Sequence, residues 1–376
     1  MDFDIAVVGL GAMGSSVTRS LARAGTRVVG FDAYSPPHTL GSTHGHSRII
    51  REAYYEHPLY VPLVQRAYRL WEELETEAGE TLLTVTGGLM AGPARGPLVR
   101  GASESATTHG IPHDLLDAQQ IRSRFPAFSP RADWIGLFEH RAGILRPEAA
   151  VRAMLRSADS AGAALHYGEA VQTWRPNGRT VRVVTTMGTY EVGRIVVAAG
   201  PWLPGLERLV GKPLPLGIER QLSHWFQPVV PDDPRHLPSA TPIALWETTD
   251  DGEIFATFPN DGHGVKCGMH HAGSITSPEM VDRVVSDAED EAARRLLEQV
   301  MPGAGGRRVE SRVCLYTNTP DRHFLIDWTS DRVLLVSACS GHGFKFAPAI
   351  GELAAQLVLE NRSWIDVAPF SLSRFA

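Results

Sequence analysis

Cysteine is scarce in this chain: Cys267, Cys314 and Cys339 are the only three in 376 residues. Thiols so few and so scattered build neither a disulfide framework nor a cysteine-rich zinc site, and they suit a reducing cytoplasm. Positive charge is also short, with 36 Lys and Arg against 42 Asp and Glu and a formal net charge of −6. Nucleic-acid binders usually carry a basic stripe, so that class is set aside. No apolar run approaches the ~20 residues that span a bilayer. The N-terminus shows no basic flank, apolar stretch and small-residue cleavage site, so no secretory leader is expected. Internal repeats and low-complexity tracts are absent. A hydrophobic content of 43% over this length fits about two domains with sizeable cores.

The richest local signal lies at the start. In "DIAVVGLGAMGSSVTRSLARAG" a β-branched run, Ile5–Val8, leads into Gly9, Gly11 and Gly14. Val17, Leu21 and Ala24 then recur at helical spacing, and "TRVVGFD" gives a second strand ending in Asp32. The glycines permit a tight turn and close backbone approach to a pyrophosphate, whose charge the helix N-terminus favours. Asp32 is placed to accept hydrogen bonds from a ribose. Strand, turn, helix and acidic residue together point to dinucleotide binding, without separating NAD from FAD.

Further along, residues 57–80 read as an amphipathic helix with Val64, Ala67, Trp71 and Leu74 on its apolar stripe. Residues 84–92 read as a strand, and 146–163 as a helix with Pro147 at its first position. Residues 165–171 and 181–192 read as a strand and a hairpin, and "RIVVAAGPW" as a buried strand entering a turn. Between about 215 and 311 the texture shifts to short alternating strands with frequent Pro, Asp and Gly, plus a helix at "DAEDEAARRLLEQVM". Residues 331–360 then return to strand, glycine turn and helix. The nucleotide domain is therefore expected to be assembled from separated pieces.

Other segments leave two readings open. "SGHGFKFAPAIGE" is a second glycine turn opening a helix, either aimed at a cofactor or an ordinary connection. His44 and His46 have a ligand-like H-x-H spacing with no third ligand nearby. Arg48 and Arg51 present rigid forks suited to carboxylate or phosphate, or else decorate a solvated loop. Lys266, Gly268 and His270 share one face of an alternating segment, which lines a pocket or meets solvent. On composition and spacing alone, Cys314 is a small buried hydrophobe.

Several stretches, "PPHTLGSTHGHSRIIREAY", "SRVCLYTNTPDRHFLID", "SGHGFKFAPAIGE" and "FSLSRFA", resemble the monomeric sarcosine oxidase and N-methyltryptophan oxidase family over essentially the whole chain. The resemblance implies an α/β (α+β) architecture. A Rossmann-like FAD-binding domain (residues 1–85, 144–220 and 312–376) would join a mainly antiparallel substrate-binding domain (86–143 and 221–311). It implies FAD bound covalently through Cys314 and also held by Gly9, Gly11, Gly14, Asp32, His44, Ser47, Gly341, Gly343 and Phe344. It implies that Arg51 and Lys345 bind the substrate carboxylate. Lys266 would promote reaction with oxygen, and Arg48 and His270 would flank flavin or substrate. The expected activity is oxidation of secondary, N-methyl amino acids to an imine, with hydrogen peroxide released by a cytoplasmic monomer. No metal is expected.

The chain departs from the family pattern at His46 and Ser47, which replace an acidic residue and a threonine, and at Cys339. The strand expected to carry an active-site tyrosine reads "IFATFP", with Phe255 and no tyrosine. An oxidase of a cyclic or other secondary amine, an NAD-dependent dehydrogenase and a non-catalytic flavin-binding protein are the alternatives.

Overall fold

The computed structural model describes residues 1–248 and 252–375, and among these the strands gather into sheets of eight, nine and three strands. The first sheet has a parallel centre. Phe3–Val8 lies between Val28–Asp32 and Thr189–Val197. Ala164–Tyr167 joins one side and Val333–Ser337 the other. Val28–Asp32 and Val333–Ser337 are buried along their whole length, as expected for strands covered on both faces. Helix Ala12–Arg23 leaves the glycine turn and packs against Pro147–Ser160 and Ala347–Glu360.

The second sheet is antiparallel across Arg308–Asn318, Gly217–Phe226, Val265–His270, Ile254–Phe258 and Ile243–Glu247. Ile243–Glu247 pairs in parallel with Gly88–Pro93, beyond which lie Trp134–Glu139 and His113–Asp117, and the short strand Ile275–Thr276 on Gly217–Phe226 completes the nine. One face of this sheet packs Trp134, Trp246 and Phe255 with Leu297 of helix Asp287–Val300. Its other face looks toward the first sheet across a cavity. A small sheet of Arg48–Ile50, Gly143–Leu145 and Leu83–Val85 lies close by.

The segmental reading meets two differences. The boundaries expected at 220/221 and 311/312 fall inside Gly217–Phe226 and Arg308–Asn318. These two strands pair over ten register positions from Gly217↔Asn318 to Phe226↔Arg308, so Cys314 belongs to the second sheet. Helices Pro97–His109 and Ala118–Arg124 occupy a stretch for which the sequence reading named no element. The helix expected over 57–80 covers Val61–Ala78 behind a short turn at Pro58–Tyr60, and Gly79 closes it in a left-handed conformation. Among the described residues, no helix is long and apolar enough to cross a membrane.

Candidate active site

A single cavity of about 460 Å³ runs from the glycine turn to the inner face of the second sheet. At its first end, Gly9 takes φ +88°, open to glycine but strained for other residues. A Cβ on Gly14 would fall 1.7 Å from the Gly9 carbonyl oxygen, so only glycine lets the helix start this close to the turn. Gly9, Gly11 and Asp32 line the cavity, and Gly14 supports them from behind. The Asp32 carboxylate accepts the N–H groups of Leu10 and Tyr34, each at 2.8 Å. These contacts fix its orientation, and a carboxylate retains further lone pairs for a ribose.

At the far end Cys314 is buried on its strand yet lines the cavity. Arg48 reaches it, with Nη2 3.7 Å from Sγ, while also donating to the carbonyls of Ser42 and Ser47 at 2.8 Å. The thiol thus sits beside a fixed positive charge.

Lys266 projects from Val265–His270, which is separated from the Cys314 strand by Gly217–Phe226. Its Nζ donates to the carbonyls of Gly45 (2.9 Å) and Ser47 (2.8 Å) and lies near the faces of Trp225 and Phe258. Burial first, and then the charge of Arg48, hold its pKa well below the ordinary lysine value. Its proton is therefore held loosely.

Arg51 follows the Arg48–Ile50 strand and is almost fully buried. Its Nη2 donates to both carboxylate oxygens of Glu56, at 2.7 and 2.5 Å, and its Nη1 to the Ala53 carbonyl at 2.9 Å. The guanidinium lies over the rings of Tyr54 (4.3 Å) and Tyr55 (4.7 Å). Behind it, Glu139 accepts the N–H groups of Glu52 and Ala53, both at 2.7 Å, and so fixes the loop. Lys345 faces the same space and donates to the His342 carbonyl (2.7 Å) and the Tyr54 hydroxyl (3.3 Å). Burial, then Arg51, lower its pKa to about 7 against the pull of Glu56. Burial works to raise Glu56, but Arg51, His342 and Lys345 outweigh it and keep the carboxyl below its usual range. Arg51 and Lys345 thus place two buried basic side chains around the Glu56 carboxylate.

His270 completes the cluster. Its Nδ1 is 3.2 Å from the Tyr316 hydroxyl, and burial, followed by His271 and His342, keeps the ring neutral. Gly341, Gly343 and Phe344 line the wall beside Lys345.

The structure thus brings together Gly9, Gly11, Asp32, Arg48, Arg51, Lys266, His270, Cys314, Gly341, Gly343, Phe344 and Lys345. His44 and Ser47 lie behind the lining. His44 is buried, neutral with its pKa lowered to about 3 by burial and then Arg48, and its ring nitrogens have no hydrogen-bond partner among the described residues. Ser47 contributes through its carbonyl, which Lys266 and Arg48 share. His46 turns outward, stacked on His263 at 4.0 Å and bonded to Glu310. Cys339 lines the cavity, its sulfur accepting the Thr317 N–H at 3.4 Å. Phe255 is a correction to the sequence reading: it packs into the core on the opposite face, and the residues of its strand that line the cavity are Ala256 and Phe258. Alternation along a strand sends neighbours to opposite faces, and pattern alone did not say which face was inward. The sequence reading also missed Glu56, Tyr55, Tyr316 and His342; the acidic and aromatic side chains so near Arg51 were the available signal.

The cavity's fit to FAD rests on its own features: a glycine turn with no room for a side chain, an acid near the end of the second strand, and a thiol and cations at the far wall. The comparisons agree. A family model described as FAD dependent oxidoreductase matches residues 4–357. Monomeric sarcosine oxidase of Streptomyces avermitilis is 39% identical, covering 100% of this chain and 98% of its own. N-methyl-L-tryptophan oxidase of Yersinia pestis is 34% identical over the full length of both chains. Among solved structures, NikD, an amino acid oxidase of nikkomycin biosynthesis, superposes with a TM-score of 0.84 at 22% identity, covering 98% of this chain and 97% of its own. L-proline dehydrogenase from P. horikoshii gives 0.86 at 20% identity, covering 100% and 98%. At those identities the structural likeness speaks for the fold. Geometry and sequence kinship together place this chain in the FAD-dependent oxidoreductases, in the family of monomeric sarcosine oxidase and N-methyl-L-tryptophan oxidase.

Proposed function

We propose that this flavin-dependent amine oxidase acts on secondary amino acids, above all N-methyl ones, with molecular oxygen as acceptor and FAD tethered through Cys314. The supporting observation is that a single cavity joins the glycine turn, Cys314, the Arg51–Lys345 carboxylate site and Lys266. Gly9, Gly11 and Asp32 would hold the dinucleotide end of FAD, and Gly341, Gly343, Phe344 and Cys314 its reactive end. His44, Ser47 and Gly14 would shape this site from behind. FAD, when bound, supplies the acceptor for a hydride equivalent and the route by which oxygen becomes hydrogen peroxide.

The chain's own residues do the positioning. Arg51 and Lys345 grip the substrate carboxylate, which takes the place of Glu56. Two charge-assisted contacts fix the amine and its C–H bond, removing much of the entropic barrier. Neutral His270 and the Tyr316 hydroxyl can accept or relay the amine proton. Lys266, backed by Arg48, supplies positive charge and a loosely held proton where oxygen gains electrons. In the net reaction amine, oxygen and water give the dealkylated amine, an aldehyde and hydrogen peroxide. An N-methyl amino acid gives formaldehyde. No disulfide joins the three cysteines, which suits a reducing cytoplasm.

The test has two arms. Acid-precipitated protein stays yellow, and mass spectrometry finds the flavin on the Cys314 peptide; free FAD in the supernatant refutes the tether. A peroxide-coupled screen of N-methyl and cyclic amino acids finds turnover with secondary amines; turnover with primary amines alone refutes the substrate class.

A further inference from the structure

Resting on that reading, we propose that Ala256 sets the size of the group this oxidase accepts at the α-carbon, and that its substrate carries a large apolar or aromatic substituent there. Once Arg51 and Lys345 hold the carboxylate, the α-substituent must extend along another wall. That wall is apolar: Ile49, two residues before Arg51, with Leu245, Ala256 and Phe258. None of these four side chains is charged, and the nearest cation, Lys266 at 4.8 Å from the Phe258 ring, already donates to the Gly45 and Ser47 carbonyls, so an apolar substituent is favoured.

Ala256 is the point where the wall recedes. It lies between Leu245 and Gly268 on adjacent strands, and it packs against the same small cluster as Ile49. Of the five residues in Ile254–Phe258 it alone is only half-buried, and it lines the cavity. Its neighbour Gly268 has no such freedom. A Cβ there would sit 2.6 Å from the Leu222 carbonyl oxygen, so the backbone dictates glycine. The depth of this part of the wall therefore depends on the side chain at 256, and a methyl group leaves it near its maximum. The structure thus converts one missing side chain into space for the substrate.

The experiment compares kcat/KM by peroxide release for sarcosine, N-methylalanine, N-methylleucine, N-methylphenylalanine and N-methyltryptophan, on wild-type holoenzyme and on Ala256→Gly, Ala256→Val and Ala256→Leu. Wild type is expected to favour the large substrates over sarcosine by about tenfold or more. A methylene in a tight apolar pocket is worth roughly 10-fold or more in selectivity, so Ala256→Leu should lower the N-methylphenylalanine-to-sarcosine ratio by ~100-fold, with Ala256→Val intermediate. A binding arm titrates acetate, phenylacetate and indoleacetate against the flavin absorbance; Ala256→Leu should weaken the aromatic acids selectively. If Ala256→Leu fails to fold, Ala256→Val and the wild-type substrate series carry the test. A wild-type preference for sarcosine, or equal losses for every substrate and acid, overturns the assignment. Yellow holoenzyme that oxidises none of the five fails the underlying functional reading instead, and the acid titration still reports on Ala256.

Discussion

The pairing of Arg51 with Glu56 makes a sharp prediction about substrate entry. Both oxygens of Glu56 lie within 2.7 Å of Arg51 Nη2, inside a cavity in which Arg51 and Lys345 are both buried. An incoming carboxylate has to take over those contacts. Replacing Glu56 by Gln keeps the shape and one acceptor oxygen but removes the competing charge. A hydrogen bond to a charged group contributes about 1.5–3 kcal/mol, and each 1.4 kcal/mol is about tenfold. Glu56→Gln is therefore expected to lower the Kd of a simple carboxylate ligand by ~10–100-fold, read by titration of the flavin absorbance. Glu56→Asp, which keeps the charge, should stay closer to wild type. The same change should cost stability, because breaking a buried ion pair is worth up to about 3–5 kcal/mol, and a neutral isostere should lose less. The sign with pH follows. Glu56 titrates lower in the folded chain than in the unfolded one, so its stabilisation is present above its unfolded pKa and is lost as pH falls through its depressed folded value. Glu56→Gln should remove that part of the acid sensitivity. A Kd that is unchanged or higher in Glu56→Gln would show that Glu56 orients Arg51 rather than competing for it.

Lys266→Met should slow reoxidation by oxygen by ~10²–10³, with a far smaller effect on reduction by amine, since it removes charge stabilisation where oxygen gains electrons. Stopped-flow traces of the two half-reactions check this, and equal effects would refute it. With its pKa lowered to about 7, Lys345 loses its charge as pH rises through neutrality. The Kd of a carboxylate ligand that has no amine should therefore rise above about pH 7, by up to ~tenfold per unit, and Lys345→Met should flatten the rise. A flat wild-type profile contradicts the assignment. Gly14→Ala places a methyl group on the Gly9 carbonyl, so the purified protein should be colourless or insoluble. A normal flavin content would refute the packing argument.

The parts of this molecule legible in its sequence are the local ones. The glycine turn and Asp32 could be read because their chemistry is set within a span of some thirty residues. Cys314, Lys266 and Lys345 drew their roles from family likeness, since spacing alone left the cysteine an ordinary hydrophobe. Glu56 escaped because its meaning depends on a fold that turns it back onto Arg51 only five positions away. Phe255 and Ala256 show the limit of pattern: one step along a strand exchanges core for cavity, and only the packing of Trp246 and Phe255 against Leu297 decides it. Helix Ala118–Arg124 did leave a signal, the reciprocal hydrogen bonds of Asp117 and Gln120, and Gly110 marked the end of Pro97–His109. Those cues were present in a stretch for which the sequence reading named no element.

The parallel pairing of Ile195–Val197 with Val333–Leu335 has a consequence for how the chain is made. A ribosome releases about 5–20 residues each second, with the N-terminal part free to fold first. Strand Thr189–Val197 then emerges with one flank bonded to Phe3–Val8 and the other bare over its C-terminal part until residue 337 has been translated. The whole second sheet except its earliest strands is synthesised in that interval. A nascent polypeptide in this state exposes a β-branched edge for several seconds, which makes it a client for chaperones and marks that edge as the place where overexpression would aggregate.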